Sequence, residues 1–187
     1  MKLILASGSP RRKQMMDRTG LKYEIDPADV DERTFQDKSV TKLVEILAIK
    51  KAEEVAKRHS NSIIIGSDLT VSYKNHQLGK PEDEKDARRM LRLLRGKTHQ
   101  VVVGVVVINT KNGKTASAVE IANVTMRDFS DREIDEYIAS GEPLDKGGAY
   151  AIQGLGGKLI EKFEGDKETV IGLPTKTVLK LIGEVNK

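Results

Sequence analysis

Residues 99–108 read His-Gln-Val-Val-Val-Gly-Val-Val-Val-Ile, the most apolar run in the chain. β-Branched side chains fit a pleated surface better than a helix, so the run predicts a strand. A strand this apolar has to be covered, which calls for helices packed on a sheet. Residues 117–127 alternate apolar and polar side chains and form its expected antiparallel partner, across a turn at Asn112–Gly113. Residues 2–6 and 62–66 read as further buried strands, and 69–78 as a small hairpin turning near Lys74–Asn75. Short strands are expected near 149–152, 158–163 and 168–171.

Helix signals lie between these runs. Ser9 stands at an N-cap position with Pro10 as the first helical residue, predicting a helix to about Thr19. Residues 39–58 place Val40, Leu43, Val44, Leu47, Ala48 and Val55 on one helical face, and Lys51 falls on that face too. Such a lysine either snorkels from the rim or projects a charge into a cleft. A helix over 82–95 has an acidic first turn, and Ser130 with Glu133 forms a capping box for another. Pro174 opens a last helix with Val178, Leu179 and Ile182 on its apolar face. Strands and helices alternate, but hairpins interrupt the order. The expected class is α/β, a mixed β-sheet flanked by helices.

Composition excludes several functions. There is no cysteine, hence no disulfide, thiolate metal site or thiol nucleophile. No apolar run approaches the ~18 residues of a membrane span. The apolar stretch in Met-Lys-Leu-Ile-Leu-Ala-Ser is too short for a signal peptide, so a cytoplasmic location is expected and no membrane partner. Net charge is +4, mild for 187 residues, and aromatic content is 4%, which leaves little for stacking on bases. Nucleic acid is therefore not an expected partner.

Four segments could carry chemistry. Ser7-Gly8-Ser9-Pro10-Arg11-Arg12-Lys13 follows a strand and opens a helix, where backbone amides and guanidinium groups suit a phosphate. It lacks the second glycine and Gly-Lys-Ser/Thr ending of a Walker A loop. Asp68 follows the run Ile63–Ile65, at what reads as a strand's carboxyl end, where sites of α/β sheets cluster. A carboxylate there can hold a divalent cation or take a proton from water; it can also simply cap a turn. Lys80, between Gly79 and Pro81, is a point charge on a stiff loop. The segment Gly141–Gly154 is dense in small and charged residues. In it Gln153 offers a donor and an acceptor, while Glu142, Asp145 and Lys146 are candidates for a surface ion-pair loop. Glu32 is a further acid in an expected loop. His59, His76 and His99 lack metal-ligand spacing and are read as structural or exposed. The sum fits a metal-dependent enzyme acting on phosphates.

These segments, in this order, resemble the Maf family of nucleoside triphosphate pyrophosphatases over nearly the whole chain. The matching motifs are LASGSPRR (5–12), Asp31–Glu32, LAIKKA (47–52), IGSD (65–68), LGKP (78–81), the stretch 90–99, GEPLDKGGAYAIQG (141–154) and GLP (172–174). The resemblance implies an elongated mixed sheet in two lobes, similar to inosine triphosphate pyrophosphatases, and one functional domain over 1–187. It implies hydrolysis of dTTP, UTP and noncanonical nucleoside triphosphates to monophosphate and pyrophosphate, a house-cleaning role. The alternatives are the sister subgroup that prefers 7-methyl-GTP and a non-catalytic nucleotide-binding regulator of cell division. A divalent cation, Mg²⁺ or Mn²⁺, is implied, held by Asp68 and Glu32. By motif, Ser7, Arg11 and Arg12 match the phosphate-binding entry. Glu32, Lys51, Asp68 and Lys80 match active-site positions, with Asp68 as acid or base, and Gln153 matches the dTTP/UTP subgroup. Homodimers are common in the family and are allowed for here. Two departures stand out: the usual Gly-Ala-Asp-Thr reads Gly66-Ser67-Asp68-Leu69, which bears on base selectivity, and Asp-Lys-Ala-Gly reads Asp145-Lys146-Gly147-Gly148.

Overall fold

Among the described residues seven strands form one mixed sheet. A computed structural model describes residues 1–32 and 39–187. The strands are β1 (Lys2–Leu5), β2 (Glu24–Ile25), β3 (Ser62–Tyr73), β4 (His76–Leu78), β5 (Thr98–Asn109), β6 (Thr115–Met126) and β7 (Ile160–Glu164). They are ordered β2-β1-β3-β5-β6-β7 across the sheet, with β4 pairing on β3. The helices are α1 (Pro10–Asp17), α2 (Val40–Ala56), α3 (Glu84–Leu94), α4 (Asp131–Ala139), α5 (Lys167–Ile171) and α6 (Thr175–Val185). β1 pairs in parallel with both β2 and β3, whereas β3–β4 and β6–β7 are antiparallel. The expected α/β class and mixed sheet are found. No helix among the described residues is long and apolar enough to cross a membrane.

The chain divides into two compact units. The first holds Met1–Leu69, Val103–Glu120 and Gly172–Lys187; the second holds Thr70–Val102 and Ile121–Ile171. In the first, Ile4, Ala6 and Ile64 pack with Val106 and Ile108 and with Ala48, Ala52 and Val55 of α2. Gly66 and Gly104 bring α2 unusually near the strands. A Cβ on Gly66 would sit 2.4 Å from the Ala48 carbonyl oxygen, and one on Gly104 2.3 Å from that of Val44. In the second unit α3 packs on α4. The buried faces are Ala87, Met90, Leu91 and Leu94 on α3 and Ile134, Tyr137 and Ile138 on α4. The Ser130–Glu133 capping box forms as expected, and Lys74 and Asn75 take the positive φ of a tight hairpin turn.

Three local expectations need correction. Residues 168–171 are helical in α5, because Asp166 accepts the Glu168 amide and starts a turn that outweighs the strand preference of Thr169, Val170 and Ile171. Residues 149–152 form no strand, since Gly148 and Ala149 both lie at positive φ. In α6 the buried stripe is Thr175, Val178, Leu181 and Val185, and Leu179 is exposed.

His99 is buried in the second unit, its ring edge-on to Tyr150 with centroids 5.3 Å apart and Nε2 2.6 Å from the Tyr150 hydroxyl. Burial pulls its pKa from 6.5 to about 4. Its contribution to stability is complete above pH 6.5 and is lost as pH falls through about 4, because the unfolded chain takes up a proton that folded His99 refuses. The loss is on the order of 3 kcal/mol. Urea unfolding at pH 7 and pH 4 should therefore show a smaller acid-induced loss in His99→Gln than in the wild type. Equal losses in the two proteins would contradict this.

Candidate functional site

Asp68 does not end a strand; it lies well inside the twelve-residue β3. What ends nearby is β1, whose last rungs are the Leu5–Ile65 pair and the hydrogen bond from the Ala6 amide to the Ile65 carbonyl, 2.9 Å. Beyond that point β3 continues without β1 beside it. Strand alternation puts Asp68 on the same side as Gly66, the side that faces α2. Because Gly66 lets α2 come close, Lys51 of that helix reaches Asp68. Its Nζ lies 2.6 Å from Asp68 Oδ1 and 2.7 Å from Glu32 Oε1. Lys51 and Asp68 have side chains only 12% and 8% exposed, while Glu32 is 56% exposed. Of the two sequence readings of Lys51, the charge in a cleft is the one found.

The start of α1 supplies the cationic side of the first unit. Ser9 is the N-cap residue, but its side chain makes no capping bond, so the first-turn amides of α1 are not closed off by it. Ser7, nearly buried, accepts from the Ser9 amide at 3.3 Å and from Arg12 Nη1 at 3.1 Å. Arg12 Nε donates to the Gly172 carbonyl at 3.2 Å, and Ser67 Oγ donates to the same oxygen at 3.3 Å. Gly172 and Ser67 thus orient Arg12, a role the sequence reading missed. No local sequence signal marks that role, since the Gly172 partner acts through a backbone carbonyl 160 residues away. Leu69, the departure from the family pattern, has its Cδ1 3.1 Å from where a Cβ on Gly172 would stand.

The charges are mutually felt. Burial pushes the Asp68 carboxyl up, opposed by Lys51 and Arg12, while Glu32 raises it further. Burial pulls the Arg12 guanidinium down; Asp68 and Glu32 push it back up and Arg11 lowers it. An arginine so placed stays charged. Guanidinium groups and open amides can hold an anion, and two carboxylates can hold a cation or receive a proton.

Ser7, Arg11, Arg12, Glu32, Lys51, Asp68 and Leu69 all belong to the first unit, whereas Lys80 and Gln153 belong to the second. Lys80 is exposed on the loop after β4. Among the described residues no group of three or more histidines and carboxylates is placed to hold a metal ion.

A family model described as Maf-like protein matches residues 2–185. The chain belongs to the Maf-like family. A relative from Bacillus mycoides named dTTP/UTP pyrophosphatase is 42% identical over 186 residues, covering 100% of this chain and 95% of its own. One of the same name from Bacillus cereus is 42% identical over 185 residues, 99% of this chain and 96% of its own. Among solved structures, a HAM1 protein from Coxiella burnetii aligns with a TM-score of 0.45 and 13% identity over 69% of this chain and 74% of that one. In this Maf-like chain the Lys51–Asp68–Glu32 cluster and the Ser7–Arg12 pair come from the motifs that carried the resemblance.

Proposed function

We propose that the chain hydrolyses nucleoside triphosphates, dTTP and UTP foremost, to the monophosphate and pyrophosphate. The observation that carries this reading is Lys51 joining buried Asp68 to exposed Glu32, in the unit where Arg12 and the open amides of α1 offer anion binding. Relatives of 42% identity over the full length, named for the same reaction, support it. Residues 1–187 act in it as a single domain. Each compact unit is discontinuous in sequence, and β3, β5 and β6 each run through both.

In the mechanism, Arg11, Arg12, Ser7 and the first amides of α1 bind the β and γ phosphates, where charge grows as pyrophosphate leaves. Lys80 adds a point charge toward the phosphates. A water oxygen bonds to the α phosphorus, the bond from that phosphorus to the bridging oxygen breaks, and Asp68 receives the water's proton. Lys51 holds Asp68 in place and limits the repulsion between Asp68 and the substrate. Gln153 pairs through its amide with the O4 and N3–H edge of uracil or thymine.

Two carboxylates gathered on one ammonium fit Mg²⁺ or Mn²⁺, which are commonly held by one or two carboxylates together with substrate phosphates. Asp68 and Glu32 would hold the ion, and when bound it would neutralise phosphate charge. Excess chelator should abolish turnover and added Mg²⁺ or Mn²⁺ should restore it; full activity in chelator would contradict the metal requirement.

A panel of UTP, dTTP, CTP, GTP and 7-methyl-GTP with pyrophosphate detection tests the reading, with UTP and dTTP expected to lead. Leu69 in place of the family's threonine favours a second reading, the 7-methyl-GTP subgroup, and a clear lead by that nucleotide would select it. Binding without turnover on the whole panel would select a regulator.

A further inference from the structure

We infer that Glu142 is a specificity-determining positioning residue: its carboxylate fixes the turn that follows Gln153, and with it the place from which Gln153 reads the base. The inference rests on the proposed activity and on Gln153 as its base-reading residue. Both residues lie in the second unit.

Glu142 Oε2 accepts the Leu155 amide at 3.0 Å, and Oε1 accepts the Gly156 amide and the Tyr137 hydroxyl, each at 3.0 Å. Gly154, between Gln153 and Leu155, sits at φ 87° and ψ −152°, a region essentially open to glycine alone. A Cβ there would lie 2.6 Å from Glu142 Oε2. The carboxylate thus rests against the Gly154 backbone and grips the two amides that follow it. One side chain, rooted thirteen residues upstream of Leu155, holds the chain as it leaves Gln153. Glu142 is not the surface ion-pair residue considered from sequence: Lys146 pairs with Asp145, and Glu142 spends its oxygens on backbone and Tyr137. Partial burial pushes the Glu142 carboxyl up, but the Gly156 and Leu155 amides and the Tyr137 hydroxyl outweigh that and hold it below the usual range.

The consequence for recognition is chemical. A glutamine amide can present its oxygen and NH₂ either way round, so it serves uracil and cytosine alike unless its neighbours favour one orientation. With the chain after Gln153 held by Glu142, the amide keeps one set of neighbours, which can favour the O4 and N3–H pattern of uracil over the reversed pattern of cytosine.

The test compares kcat/KM for UTP and CTP in the wild type, Glu142→Gln and Tyr137→Phe. In Glu142→Gln an NH₂ donor faces a backbone donor, and the UTP-over-CTP ratio should fall about tenfold or more, since a shift of about 1 Å in a positioned group can cost about a hundredfold. The ratio is internal to each sample, so partial loss of folded protein cancels, and a residue that only stabilises the unit would leave it unmoved. An unchanged ratio in folded Glu142→Gln overturns the inference. If that variant does not fold, Tyr137→Phe decides, because it removes a single bond to the carboxylate, each worth roughly 1 kcal/mol. A fall of about fivefold, the equivalent of that bond, supports the inference and an unchanged ratio overturns it. A wild type that turns over both nucleotides without discrimination also overturns it. A wild type with no turnover on any nucleoside triphosphate overturns the functional reading itself, and this inference with it.

Discussion

Asp68→Asn should lower turnover by ~10²–10⁴-fold, the usual cost of losing a general base, with any loss of cation binding added to that. The folded protein should be no less stable. Burial is the largest influence on the Asp68 carboxyl and raises its pKa, so the ionised form is held in the fold at a cost. Asparagine has the same shape, keeps an oxygen to accept from Lys51 and removes the buried charge. Glu32 remains 2.7 Å from Lys51 Nζ, so the ammonium is not left alone. The melting temperature should accordingly hold or rise while activity collapses, the pattern of a residue kept for chemistry at the expense of stability. A purely structural Asp68 gives the opposite pattern. A lower melting temperature with more than about a tenth of wild-type turnover would remove Asp68 from the mechanism.

Gly66→Ala should lose both stability and activity. The added methyl would lie 2.4 Å from the Ala48 carbonyl oxygen, 2.8 Å from the Ala52 Cβ and 2.9 Å from Val106 Cγ1. Two of these are helix α2 itself, and no flexible side-chain end is available to swing away from its backbone. Overpacking of a tight core typically costs about 1–3 kcal/mol, and α2 has to move as a body to relieve it. Lys51 moves with α2, and the 2.6 Å bond to Asp68 depends on that helix's seat. A displacement of about 1 Å at a reacting group can cost about a hundredfold in rate. Denaturant melts and kcat on the same preparation check this: the midpoint should fall and kcat should fall well beyond the fraction unfolded. Wild-type stability in Gly66→Ala would mean that α2 does not depend on this contact.

Much of the fold was legible because local signals and tertiary packing agree. Ser9–Pro10 opens α1, Ser130–Glu133 caps α4, and the apolar periodicity of residues 39–58 gives the face that α2 buries. Where the two disagree, the sequence misleads. β3 runs on through Ser67, Asp68 and Thr70, polar residues that look like a strand's end but are buried in its middle. Asp166 turns a β-branched triplet into a short helix, and tandem positive φ at Gly148 and Ala149 breaks an expected strand. At the site, spacing alone could place Lys51 on the apolar face of α2 but not decide between rim and cleft. That decision depends on Gly66, fifteen positions after Lys51 and in a different element from the lysine it admits, and a glycine inside an apolar strand was the readable sign of such a close approach. The Gly172 partner of Arg12 was not legible, since it lies 160 residues away and acts through its carbonyl, which every residue type possesses.

The most direct test of the account is the fate of UTP in heavy-oxygen water with the purified chain and Mg²⁺, read by mass spectrometry of the products. Attack at the α phosphorus predicts uridine monophosphate carrying the heavy oxygen and unlabelled pyrophosphate. Uridine diphosphate with orthophosphate, or label in the pyrophosphate, would contradict it.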